Sequence, residues 1–192
     1  MKKNNLMEIL WHARGGQGAK TVATFLAEIA LIEGKYGQGF PEYGPERMGA
    51  PMRGFTRISD AQIKVHCSIS NPDVVVVLDS TLLDMMDVTQ GLTDDGIVIV
   101  NSSHSPAEIR KKLKMKNGKV FTVNASQIAL DELGRDIPNM PMLGAMLKTT
   151  NILKLETLTG EIRRKFLKKF NEKIVEGNAK AVKRAYEEVI GE

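Results

Sequence analysis

Ten residues near the start of the chain, HARGGQGAKT from His12 to Thr21, set three glycines between a short apolar run (Met7 to Trp11) and a long helical pattern. Amides in the first turn of a helix lack intrahelical partners and favour an anion, and glycines let a phosphate approach the backbone closely. Phosphate binding is the chemistry this junction offers. The plainer reading is that Gly15, Gly16 and Gly18 only permit a tight strand-to-helix turn and close packing of the helix. Two familiar fingerprints fail. A Walker A loop would need glycines where Arg14 and Ala19 stand, although Lys20 and Thr21 follow in place. The dinucleotide pattern GxGxxG has Gly16 and Gly18 but Thr21 at its third glycine, and no acidic residue ends a second strand about 20 residues on.

Little else has the residue types for catalysis. His12 reads as a hydrogen-bonded histidine at a strand end, because no carboxylate or second histidine is spaced to complete an acid–base set. His66 and Cys67 alternate along a predicted strand and would face opposite ways, which argues against joint metal ligation. His104 precedes a helix and caps it or faces water. No catalytic residue and no metal ligand is assigned. The single cysteine, Cys67, allows no internal disulfide and no four-cysteine iron–sulfur site.

These residues need elements to hold them. Leu6 to Ala13 reads as a strand, and Ala19 to Glu33 as a helix with Val22, Phe25, Leu26, Ile29 and Ile32 on one face, ended by Gly34. Residues 37–54 are rich in Gly and Pro and too irregular for a helix. A strand is predicted from Arg53 to Ile58, pairing across Ser59-Asp60-Ala61-Gln62 with a second from Ile63 to Cys67. The apolar run Val74 to Leu78 suits a strand covered on both faces. A short helix (Ser80 to Asp87), a strand (Gly96 to Asn101), a helix begun by Pro106 and a strand (Lys119 to Asn124) follow. The rest reads as helices: Ala125 to Leu133, Met142 to Ile152, Glu161 to Phe170 and Ala179 to Ile190. This alternation predicts an α/β fold, a three-layer α/β/α sandwich with a largely parallel or mixed sheet and C-terminal helices. A single domain over 1–192 is expected, with an α/β core to about 135 and a helical part beyond.

Of the net charge of +4, all is accounted for by residues 148–192, which hold eleven Lys/Arg against seven Asp/Glu. The basic helix at Glu161 to Phe170 could touch nucleic acid, but acidic residues dilute it and no outward aromatic is placed for stacking, so a solvated face or an acidic partner is the better reading. The ten methionines read as core filling. No apolar run approaches the roughly 20 residues of a membrane span, and a soluble cytoplasmic protein is expected.

Read together with FPEYGPERMGAPMRGFTRIS (Phe40 to Ser59), Asn71-Pro72-Asp73 before the apolar strand, and NMPMLGAMLKTTNIL (Asn139 to Leu153), the RGGQG turn resembles the gamma subunit of 2-oxoacid:ferredoxin oxidoreductases, most of all those acting on pyruvate. The family's turn G-x-G-G-x-G falls on Ala13 to Gly18, with Ala13 replacing its first glycine. The resemblance implies a non-redox subunit, inactive alone, of an enzyme that converts pyruvate to acetyl-CoA and reduces ferredoxin. Alpha, beta and delta-type subunits are its implied partners, carrying thiamine diphosphate, magnesium and iron–sulfur clusters. Coenzyme A is the ligand implied for this chain, with Arg14, Gly15, Gly16, Gln17, Gly18 and Thr21 as cofactor-binding residues. In the Pro45 to Pro51 loop, Glu46 and Arg47 are implied contacts at a subunit interface. Other 2-oxoacids such as 2-oxoisovalerate or 2-oxoglutarate, and a free-standing nucleotide- or phosphate-binding module, remain the alternatives.

Overall fold

A computed structural model describes residues 6–42 and 49–192. Seven strands form one sheet in the order β2-β3-β1-β4-β5-β6-β7. In chain order, β1 (Met7–Arg14) is followed by α1 (Ala19–Ile32), β2 (Tyr36–Pro41), β3 (Pro51–Ser59) and β4 (Val74–Val77). A 3-10 turn (Ser80–Asp84), β5 (Ile97–Asn101), α2 (Pro106–Leu113) and β6 (Lys119–Val123) come next, then α3 (Ala125–Leu133), α4 (Asn139–Thr150), α5 (Leu155–Phe166), α6 (Glu172–Glu188) and β7 (Ile190–Gly191). Strands β1, β4, β5 and β6 are parallel, while β2, β3 and β7 run antiparallel to their neighbours.

The period-two alternation of side chains sorts β1 between two cores. Ile9, Trp11 and Ala13 join a cluster with α1, α4, α5 and α6, whereas Leu10 joins a second cluster with Val75, Val77, Leu82 and Ile109 on the opposite face. Val74 to Val77 divide in the same way, so the run is apolar throughout because both sheet faces are covered. The result is the three-layer arrangement expected, with one helical layer much thicker than the other. Met140, Met142 and Met146 are buried in the thicker one.

Helix α1 lies against β2 and β3 backbone to backbone. Its Ala19, Ala23 and Ala27 recur every fourth residue, and β-carbons added at Gly37 or Gly39 would strike the Ala27 or Ala23 peptide. The Ala23 carbonyl also accepts a hydrogen bond from Thr56 Oγ1 (2.9 Å), whose oxygen in turn accepts one from Trp11 Nε1 (3.0 Å). On the other side of β3, the Arg57 guanidinium is buried and donates to Glu8 Oε1 (2.7 Å), its direct cross-strand neighbour on β1, and to Gln38 Oε1 (3.1 Å) on β2.

Several sequence expectations change. Ile63 to Cys67 is not a strand, because β3 is already paired on one edge by β1 and on the other by β2. That second partner, β2, falls mostly within the Gly- and Pro-rich stretch expected not to be helical. The region beyond Ala125 also contributes a strand, β7, which closes the sheet against β6. Helices α4, α5 and α6 begin earlier than expected, at Asn139, Leu155 and Glu172, and the 3-10 turn ends at Asp84.

Candidate functional site

All four parallel strands end at the same edge of the sheet. From β1 the chain turns into α1 on one face, and from β4 it turns into the 3-10 turn on the other, so the direction of winding reverses between these adjacent strands. A reversal of this kind opens a crevice beyond the carboxyl ends of the strands. The glycine turn forms one wall of it. Gly16 (φ 98°) and Gly18 (φ 84°) adopt left-handed backbone, which a residue with a β-carbon resists.

Side chains then tie this turn to the end of β4. Gln17 accepts a hydrogen bond from the Arg14 amide (2.8 Å) and donates to Asp79 Oδ2 (2.9 Å). Arg14 Nε donates to the same Asp79 oxygen (3.1 Å), while its other guanidinium nitrogens reach Thr81 Oγ1 (2.7 Å) and the Gly49 carbonyl (3.1 Å). Burial pushes the Asp79 carboxyl up, but hydrogen bonds from Thr81 and Gln17, with the Arg14 charge, more than offset this and hold it below the usual carboxylate range.

Two further segments converge here. Gly15 donates to the Ala50 carbonyl (2.8 Å) and accepts from the Gly49 amide (3.2 Å), and the Asn139 side chain at the start of α4 packs over Gly18. Beyond Asp79 the crevice, about 300 Å³, continues past Asn101, Ser102, His104 and Ser126. Asn101 fastens three elements there, donating to the Leu78 carbonyl and Ser126 Oγ and accepting from the Ser126 amide.

The expected site residues are thus only partly together. Arg14, Gly15, Gly16 and Gln17 surround the turn, and Gly18 starts α1, which has neither a side-chain cap nor an acidic residue in its first turn. Thr21 lies one turn further on and faces a groove on the helical side. Glu46 and Arg47 lie outside the described residues. Asp79, Asn101 and Asn139 were missed by sequence reasoning. The signal for Asp79 was available: it directly follows the apolar run VVVVL, where the end of a parallel strand meets the crevice.

His12 is not the hydrogen-bonded residue expected. It is 3% exposed, and neither ring nitrogen has a hydrogen-bond partner among the described residues. The reason is its strand: β1 is interior, so its end is covered on both edges by β3 and β4. Burial and the Arg53 charge push its imidazole down to about 4, while Glu42, Asp87 and the Val88 backbone, which falls short of hydrogen-bond geometry, pull weakly the other way. Below the unfolded value of 6.5 the unfolded chain binds a proton that the native ring refuses, so stability falls as pH drops and levels off only near 4. Between pH 7 and pH 5 the loss should reach about 2 kcal/mol, measured by urea unfolding, and His12→Gln should flatten that slope. Equal slopes in both proteins would refute this assignment.

His66 and Cys67 are exposed and off the sheet, with His66 Nδ1 3.2 Å from Gln38 Nε2. His104 is exposed beside Glu108, while Ser105 supplies the cap of α2. Among the described residues no group of three or more His, Cys, Asp or Glu could hold a metal, and no helix is long and apolar enough to cross a membrane.

The fold and its crevice define a doubly wound α/β chain of the kind that binds ligands beyond its strand ends. Residues 8–188 match the family profile described as pyruvate ferredoxin/flavodoxin oxidoreductase. The chain is 50% identical to the pyruvate synthase subunit PorC of Thermotoga maritima, over 95% of its own length and 94% of the relative's. It is 49% identical to the pyruvate/ketoisovalerate oxidoreductases common subunit gamma of Pyrococcus furiosus, over 95% and 96%. The crystal structure of the Thermotoga maritima pyruvate oxidoreductase subunit superposes with a TM-score of 0.87, covering 98% of this chain and 99% of that one. The fold alone is shared with 2-oxoglutarate:ferredoxin oxidoreductase from Magnetococcus marinus (20% identity, TM-score 0.76), where it covers 95% of this chain and 31% of the other. The chain belongs to the pyruvate/2-oxoacid ferredoxin oxidoreductase family, as a gamma subunit.

Proposed function

We propose that this chain serves a pyruvate:ferredoxin oxidoreductase as an accessory subunit that helps assemble the complex and holds coenzyme A, with no bond-breaking step of its own. The observation that carries the reading is the match, over 95% of the chain, to subunits named for pyruvate synthase and for pyruvate/ketoisovalerate oxidoreductases. One of those relatives is common to pyruvate and ketoisovalerate enzymes, which supports placing the choice of 2-oxoacid on partner chains. Alpha, beta and delta-type subunits would carry thiamine diphosphate, magnesium and the iron–sulfur clusters, and ferredoxin would accept the electrons.

Coenzyme A supplies a thiol that accepts the acyl group. The residues present suit its phosphates mainly through backbone amides: α1 starts at a left-handed glycine without a side-chain cap, and Lys20 lies in its first turn. Arg14 holds the turn's shape, since its charge is already matched by Asp79. A β-carbon at Gly16 would meet no atom of the described residues within 4 Å, so Gly16→Val would act chiefly by forcing the turn out of its left-handed conformation. We expect about tenfold weaker coenzyme A binding to the assembled complex by calorimetry, with pyruvate affinity nearly unchanged. Equal loss of both would point to faulty assembly.

Oxygen-free affinity purification from the native host tests the subunit reading. Brown material with cysteine-rich and thiamine-binding partners is the expected result, and a colourless, solitary, pyruvate-inert protein would overturn it.

A further inference from the structure

The helical side of the molecule carries a second, larger concavity. A groove of about 980 Å³ runs between α1, α3, α5 and α6, with Phe25, Phe166, Phe170, Met140, Ile137 and Ile174 giving it an apolar floor. The three rings form a contiguous row, Phe25 stacked on Phe166 at 5.9 Å and Phe170 edge-on to Phe166 at 5.7 Å between centroids. Part of this surface is open to solvent: Phe170 is 47% exposed, and Leu130, Ile137 and Ile174 are also exposed. A contiguous apolar surface of this kind, rimmed by charge, marks an interaction site.

The rim decides what fits. Glu28 is neutralised by Lys165, whose ammonium also sits over the Phe25 ring, and Asp131 and Glu132 are both bound by Arg184. Arg135, Lys168, Lys169 and Lys173 make no ion pair among the described residues. They come from three segments around the groove: the loop after α3, the turn after α5 and the first turn of α6. Cations spread over several segments match a stripe of carboxylates better than the single point charge of a phosphate.

We propose that this groove docks an acidic amphipathic helix of another subunit of the complex, its apolar side chains at i, i+3 and i+7 seated on the row of phenylalanines and its carboxylates facing the lysine rim. The proposal rests on the subunit reading above. It gives the basic surplus of the C-terminal helices a purpose, since rim charges steer encounter and set salt dependence.

The test uses the complex purified whole. Phe170→p-benzoylphenylalanine, irradiated in the intact complex, should cross-link to a Glu- and Asp-rich segment of a partner chain. Lys168→Glu with Lys169→Glu, two exposed changes checked by an unaltered melting curve, should weaken retention of this chain about tenfold and abolish its salt dependence. A complex that assembles but gives no cross-link to a partner chain, and retains the double variant normally, overturns the groove proposal and leaves the subunit reading standing. Cross-linking suppressed by coenzyme A, or confined to a second copy of this chain, overturns it in favour of those occupants. Failure of the wild-type chain to find any partner overturns both.

Discussion

Gly39→Val is expected to destabilise the native chain by about 3 kcal/mol or more, the upper range for overfilling a packed interior. A β-carbon at residue 39 would lie 2.8 Å from the Ala23 carbonyl carbon and 2.8 Å from Thr24 Cα, with the Ala23 oxygen closer still. These are backbone atoms of a helix, so no rotamer change relieves the clash. Only a shift of α1 would, and that would break the bond from Thr56 to the Ala23 carbonyl and loosen Trp11. Against a typical total of 5–15 kcal/mol the loss is large. Gly160→Ala is the control: it lies within α5 with open space around it, and should gain about 0.5–1 kcal/mol. A Gly39→Val protein with an unchanged urea midpoint would refute the close packing.

Glu8→Ala should rank next, at about 3 kcal/mol, because it strands a buried guanidinium. Arg57 is 1% exposed while Glu8 is 23% exposed, so the lower end of the range for broken buried pairs applies. Gln38 and the Phe40 ring, 5.7 Å away, remain beside Arg57 but carry no compensating charge. Glu8→Leu combined with Arg57→Met should recover most of the loss, since the charge and its partner leave together. A double-mutant cycle by urea unfolding checks this, and additive losses would refute the coupling.

Much of the frame was legible in the sequence. The turn at Gly15 to Gly18, the doubly covered strand at Val74 and the alternation of β5, α2 and β6 depend on neighbours close in the chain, and local pattern reports them. The failures share a cause. Ile63 to Cys67 has the alternation of a strand, yet pairing needs a free edge, and β2 and β1 occupy both edges of β3. Helix α6 starts at Glu172, seven residues before the expected Ala179, and Gly177 inside it is a point of close approach to the Glu132 carbonyl of α3. The Asn171 cap upstream of it was the better signal. In the crevice, the local part was readable and the distant part was not: Arg14 and Gln17 were picked out, but Asp79 meets them from 62 and 65 residues away.

The backbone contact of α1 on β2 bears on how relatives of this chain should be compared. Gly37 and Gly39 are barred from acquiring any side chain by the helix above them, whatever the molecule binds. Their persistence across a lineage would record architecture alone. A β-carbon at Gly16 would meet no atom of the described residues within 4 Å, so its backbone angle is the restraint they show, and a lineage without the proposed ligand could replace it at the modest expense of reshaping one turn. If the turn holds coenzyme A as proposed, drift at Gly16 with Gly37 and Gly39 intact would be the mark of a relative that kept the scaffold and changed its occupation.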